Sequence, residues 1–173
     1  MSVQEIETRE PEKKKSAVGG WIGFVFILLL VFLIFRYALG IIVISGNSMS
    51  PTIEDRDIII SSNIFYSPNR NDIVLYRDEN GFDVVKRIIA LPNQTVEIND
   101  GTVIVDDDPI DESFVAGTPN DMEETVVHEG TYFVLGDNRT PGESLDSRSP
   151  DIGSIAEERI KGEFLISVFP FHF

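Results

Sequence analysis

Between residues 17 and 35 the chain carries no charged side chain, and Leu, Ile, Val and Phe dominate the run. A helix that is apolar on every face has no side to turn towards water. These nineteen residues must therefore be enclosed by protein or cross a bilayer, whose hydrocarbon core takes ~20 apolar residues at 1.5 Å each. A cleaved leader is the other alternative, but its apolar region is ~7–15 residues and ends at a small-residue cleavage site. Arg36-Tyr37-Ala38-Leu39 has no such character. The run predicts one uncleaved transmembrane helix over 17–37, behind a polar tail (1–16) and ahead of one domain (38–173).

Lys13, Lys14 and Lys15 precede the helix and Arg36 alone lies close to its far end. Because orientation follows the Lys and Arg bias, the N-terminus is expected in the cytoplasm and the domain on the extracytoplasmic side of the cell membrane. Trp21 and Tyr37 sit near the two ends, where amphipathic rings favour the interface. The formal net charge is −15. Residues 1–35 hold four acids and four bases, so the whole excess belongs to the domain. Such a surface repels phosphate backbones, which argues against nucleic acid as a partner. The absence of cysteine excludes disulfides and thiolate chemistry.

Beyond the apolar run the pattern changes to short stretches of Val, Ile, Thr, Phe and Tyr punctuated by Gly, Pro, Asn and Asp. Residues 41–44 form an apolar strand, and further strands are predicted at 57–61, 72–76, 83–89, 95–98, 131–135 and 164–168. Asp100-Gly101 between 97–99 and 102–105 is a hairpin signal, since both positions tolerate positive φ. Residues 152–159 predict a helical turn or two, and the acidic stretch 106–129 a solvated connection. The fold class is mainly all-β, antiparallel, preceded by the single helix.

Few side chains suit covalent chemistry. Ser48 lies on a sharply punctuated bend, Ser45-Gly46-Asn47-Ser48-Met49-Ser50-Pro51-Thr52, where a hydroxyl is presented at a surface; the same residues also make ordinary turns. Lys86 interrupts the β-branched run Val84-Val85-Lys86-Arg87-Ile88-Ile89. By alternation it points to solvent; if instead it is buried, desolvation lowers its pKa and makes it a base able to activate a serine. Lys161 reads as a surface charge. His128 and His172, the two histidines, read as loop and tail residues and are too few for a metal site. A third stretch, Gly136-Asp137-Asn138-Arg139 to Ser144-Leu145-Asp146-Ser147-Arg148, is a dense polar loop whose acids and arginines are spaced to pair.

Ser-Met-x-Pro-Thr at Ser48, Lys86-Arg87, and Gly-Asp-Asn-Arg with Ser-x-Asp-Ser-Arg, in this order behind an apolar anchor, resemble the bacterial type I signal peptidases. The resemblance covers nearly the whole chain. It implies a Ser-Lys dyad protease that needs no cofactor and cleaves signal peptides from exported preproteins through an acyl-enzyme. Ser48 is the implied nucleophile and Lys86 the general base. Ser144 matches the serine that hydrogen-bonds the lysine; Asp146 and Arg148 match a supporting ion pair; Asp137 matches the acid that pairs with Arg87. The loop before Ser144 is two residues longer than the usual form, which leaves Ser147 as the alternative. Gly46 stands where some members carry a serine hydroxyl that binds the oxyanion, as in Gram-positive-type members, so a backbone donor such as the Ser48 N–H is expected instead. Ile44, Met49, Ile53 and Val85 are candidates for shallow pockets that accept small side chains, with core packing as the other reading. Membrane lipid is a further expected contact, near Val43-Ile44 or Phe169-Pro170-Phe171. Two other readings differ in kind: a self-cleaving Ser-Lys protein of the repressor type, and a membrane-tethered β-rich binding module in which Ser48 and Lys86 are incidental.

Overall fold

The structure is a computed structural model and describes residues 17–62 and 66–169. The polar tail, residues 63–65 and the C-terminal residues 170–173 lie outside it. The chain divides into two units, one ending at Arg36 and one beginning at Tyr37. In the first, helix α1 (Ala17–Ala38) covers the apolar run. Its 22 residues extend ~33 Å, enough to cross a bilayer. Trp21 packs edge-on against Phe24 one turn later.

The second unit is built from eleven strands. They are β1 (Leu39–Val43), β2 (Ile58–Ser62), β3 (Ile73–Arg77), β4 (Asp83–Ala90), β5 (Thr95–Asn99), β6 (Thr102–Val105), β7 (Asp108–Pro109), β8 (Met122–Val126), β9 (Thr131–Leu135), β10 (Ile155–Ala156) and β11 (Ile160–Phe169). Seven form one sheet in the order β1-β2-β11-β3-β4-β9-β10, and the other four a second sheet, β7-β6-β5-β8. Every ladder is antiparallel. The β5–β6 turn has Asp100 and Gly101 both at positive φ, with Asn99 opposite Thr102. That is the turn the Asp-Gly pair calls for.

Two stretches depart from the sequence reading. Residues 106–129 are not simply a solvated connection, because β7 and β8 pair with β6 and β5 and complete the second sheet. β8 is an exposed edge strand rich in Glu, so neither apolar alternation nor β-branched composition marks it. Residues 152–159 form only β10 and a single 3₁₀ turn, Glu157–Arg159. The pairing of Ile155 with Tyr132 takes the place of a helix.

Three buried clusters account for the packing. One, of Ile89, Val96, Ile98, Val103, Val105, Phe133 and Leu135 among others, joins the two sheets. A second, of Met49, Ile53, Ile59, Ile73, Leu75 and Val85, fills one face of the larger sheet. A third, with Val74, Tyr76, Ile88, Tyr132, Val134 and Ile155, fills the other. Strand β4 contributes to all three, so both of its faces are covered. This decides the position of Lys86. Alternation along β4 exchanges one buried face for another, and the lysine is only 3 % exposed.

Phe133 is the largest apolar side chain between the two sheets. Phe133→Ala is expected to cost ~3–5 kcal/mol. Denaturant unfolding of the full chain in detergent should show a lower midpoint with an unchanged slope; a midpoint within error of wild type would contradict the packing described.

Candidate active site

The bend after β1 is held at both ends. Ile44 N–H donates to the Asp57 carbonyl, and Arg56 N–H to that of Ile44. Gly46 adopts φ +106°, a conformation that excludes most side chains, and its N–H donates to Asp55 Oδ1 at 2.8 Å. Met49 and Ile53 are buried in the cluster beneath the bend, each burial being worth ~1.5–3 kcal/mol, and fix it to the sheet. Ser48 between these anchors is half-buried and lines a cleft of about 670 Å³.

The lysine of β4 reaches the same point. Lys86 Nζ is hydrogen-bonded to Ser48 Oγ at 2.6 Å, across 38 residues of sequence. Burial lowers its pKa from the ordinary 10.5 to about 8. Asp146 pulls the value up, Arg148 down and Asp137 up, each by less than the desolvation. A proton can therefore leave this amine near neutral pH.

The remaining sequence candidates surround the pair. Arg87, next to the lysine but on the opposite face of β4, donates from Nε and Nη2 to the two carboxylate oxygens of Asp137 at 2.8 and 2.6 Å. Asp137 also accepts from Thr52 Oγ1, which ties the bend that carries Ser48 to the same carboxylate. Burial alone would push the Asp146 carboxyl up, but Arg148, Ser144 Oγ and the Gly136 N–H together hold it below the usual carboxylate range. The Asp146–Arg148 pair is bidentate, with hydrogen bonds of 2.8 and 2.7 Å. Ser144 Oγ donates to Asp146 Oδ2 at 2.7 Å. Among the described residues the partner of Lys86 Nζ is Ser48, not Ser144. The hydroxyl of Ser147 accepts from Val134 N–H at 2.9 Å, and its own N–H donates to the Val134 carbonyl, so this serine extends the edge of β9.

A hydroxyl against a buried amine of lowered pKa, at the wall of a cleft, is the arrangement of a serine hydrolase with a lysine base. Residues 18–169 match the family model described as "Signal peptidase, peptidase S26". The signal peptidase I of Bacillus amyloliquefaciens is 31 % identical over 95 % of each chain. A probable signal peptidase I-1 of a Synechocystis species is 34 % identical over 73 % of this chain and 69 % of its own. Among solved structures, a signal peptidase I from Enterococcus faecalis V583 is similar with a TM-score of 0.51 and 30 % identity, over 57 % of this chain and 97 % of that one. The chain belongs to the signal peptidase family, peptidase S26. It is a membrane-anchored serine peptidase.

Within that family membership the details of this chain stand out. Gly46 offers no side chain, and its N–H is committed to Asp55. The Ser48 N–H has no acceptor among the described residues. Met49, Ile53 and Val85 sit in the buried cluster with Ile44 packed against it, under the bend. The apolar side chains that line the cleft are Tyr76, Val84, Leu145 and Ile152. Asn93 has φ +68°, the left-handed turn that asparagine tolerates.

Gly136 was not singled out as a site residue by sequence, although it opens the polar loop. A methyl group there would lie 2.3 Å from the Ser48 carbonyl oxygen and 2.4 Å from Ser144 Oγ. The bend that carries Ser48 and the Asp146 loop approach each other through the gap that this glycine leaves. Gly136→Ala should therefore displace one of them, and a shift of ~1 Å costs about a hundredfold in rate. Steady-state cleavage of a signal-bearing substrate should show that loss in kcat; a variant with wild-type kcat would mean that the gap is not needed.

Proposed function

We propose that Ser48 is the nucleophile and Lys86 the general base of an endopeptidase that removes N-terminal signal peptides from exported preproteins. The observation that carries this reading is the 2.6 Å contact between Lys86 Nζ and Ser48 Oγ at a site where the lysine is buried. The neutral amine takes the hydroxyl proton as Oγ attacks the scissile carbonyl carbon. Charge develops on the carbonyl oxygen, and the Ser48 N–H stabilises it. Collapse breaks the C–N bond, Nζ returns the proton to the leaving amine, and the acyl group remains as an ester on Ser48. Water then gives a proton to Nζ and attacks the ester carbonyl carbon; the C–Oγ bond breaks, Nζ returns the proton to Oγ, and the acyl group leaves as a carboxylic acid.

Arg87, Asp137, Asp146, Arg148 and Ser144 position the dyad rather than react. An extended cleavage segment adds beside residues 42–46 as an extra strand, which brings its small side chains at −1 and −3 to the cleft beside Ser48. The anchor confines enzyme and substrate to one bilayer surface and so raises their effective concentration. The lysines before the helix favour a cytoplasmic N-terminus and an extracytoplasmic catalytic unit. Lipid contact is supported by one apolar sheet face. Ile41 (75 % exposed) and Val43 (63 %) lie on β1, and Ile41 is in register with Ile60, which is in register with Ile166.

Ser48→Ala and Lys86→Ala should each lower the cleavage rate of a signal-bearing preprotein by about 10⁴-fold while the variants stay folded. A non-catalytic binding module would leave wild type as inactive as the variants. The pH profile gives an independent check. Lys86 acts only when neutral, so kcat/KM should fall tenfold per unit below about pH 8, to about a hundredth of its plateau at pH 6. A flat profile across that range would rule out a lysine base.

A further inference from the structure

Residues 112–117 lie in the acidic stretch between β7 and β8, outside every motif that carries the family resemblance. None of them lines the catalytic cleft. They are nonetheless bound closely to the far side of the site. The Phe114 ring covers the Arg87 guanidinium, with the guanidinium carbon 4.1 Å from the ring centre. Ala116 N–H donates to the Asp137 carbonyl at 3.0 Å, and the Ala116 carbonyl accepts from Arg139 N–H at 2.7 Å. This is the parallel bridge between Ala116 and Asn138. Glu112 takes both terminal nitrogens of Arg139, a side chain with no exposed surface, whose Nε donates to the Gly136 carbonyl at 2.8 Å.

The consequence for the nucleophile follows from the next link. Asn138, clamped between the two Ala116 hydrogen bonds, donates its N–H to the Ser48 carbonyl at 3.0 Å and its side-chain Nδ2 to the Asn47 carbonyl at 3.2 Å. Ser48 is thus held from behind by Asn138, and Asn138 by residues 112–117. On the second route, Phe114 shields the ion pair whose carboxylate also holds Thr52, four residues after the nucleophile. An arginine stacked on a ring and bonded to a carboxylate has its guanidinium plane fixed, and water is kept from that face.

We propose that residues 112–117, through Phe114 on Arg87, Ala116 on the 137–139 backbone and Glu112 on Arg139, are a positioning strut that sets Ser48 against Lys86. Phe114 and Glu112 are positioning residues that touch neither substrate nor reacting atoms. The proposal rests on the dyad reading for its effect on rate, but the effect on the Asn138 amide stands apart from it.

The test uses the full chain in detergent micelles. Phe114→Leu keeps apolar bulk without a π-face, Phe114→Tyr restores the ring, and Glu112→Gln keeps the shape without the charge. Phe114→Leu and Glu112→Gln should each lower kcat about tenfold with KM within about twofold, and hydrogen exchange at the Asn138 and Arg139 amides should rise by about the same factor. Phe114→Tyr should stay within about twofold of wild type on both readouts. In an Arg87→Lys background, Phe114→Leu should add little further loss, because the ring then has no guanidinium to hold. Unchanged exchange in both variants, equal damage from Tyr and Leu, or full additivity with Arg87→Lys would each overturn the proposal. A wild-type enzyme that cleaves nothing would instead count against the dyad reading, and the exchange data would still decide the strut.

Discussion

A carboxylate without solvent contact, that of Asp137, joins three parts of the catalytic unit that sequence keeps far apart. It accepts from Nε and Nη2 of Arg87 on β4 and from the hydroxyl of Thr52 on the bend after Ser48. An ionised carboxylate is buried only where charge and hydrogen bonds replace its water, and this one has an arginine on both oxygens and a hydroxyl besides. Arg87 in turn spends Nη1 on the Asn71 carbonyl, so its charge is also accounted for. Because Lys86 is the neighbour of Arg87 and Ser48 lies four residues before Thr52, fixing this one cluster limits where the Lys86 amine and the Ser48 hydroxyl can meet. The clamp does not touch the substrate cleft, and its effect is one of geometry.

The lysine itself works against the fold. With a folded pKa of about 8 against an unfolded 10.5, the unfolded chain binds more protons between these values. Stability owed to this group therefore rises with pH from about 8 to 10.5, and its penalty is fully present below about 8. The apolar clusters on the two faces of β4 carry that penalty, and they also create it, since their burial of the strand is what desolvates the amine. Asp146 limits the shift from one side while Arg148, paired with it, cancels part of that pull. A lysine of lowered pKa and a stable sheet are thus two results of the same packing.

The apolar helix, the strands at 57–61, 72–76, 83–89, 95–98 and 131–135 and the Asp-Gly hairpin were legible because each is a local pattern: hydrophobic continuity, β-branched runs, or two residues that accept positive φ. The edge strand β8 was not, since an exposed strand needs no apolar alternation and takes its hydrogen bonds from β5. Ser48 and Lys86 were legible as candidates through motif order. Whether Lys86 faced solvent was open, because alternation has one answer for a strand with a wet face and another for a strand covered on both. Phe114, Glu112 and Gly136 left no such signal. A ring over an arginine 27 residues away, or a missing methyl group between two loops, is a property of the packing and has no spacing in the chain.

Sequence by itself determined the anchor, the antiparallel β character, the net acidity of the domain and the residue types available for covalent chemistry, since these follow from composition and from patterns a few residues long. Tertiary structure alone decided that the amine is dry, that it meets the Ser48 hydroxyl, and that Ser147 belongs to the sheet while Ser144 belongs to Asp146. The reason is physical: a pKa shift and a hydrogen bond depend on which atoms exclude water and lie within 3 Å or so of one another. Segments up to 91 residues apart in the chain set those distances here.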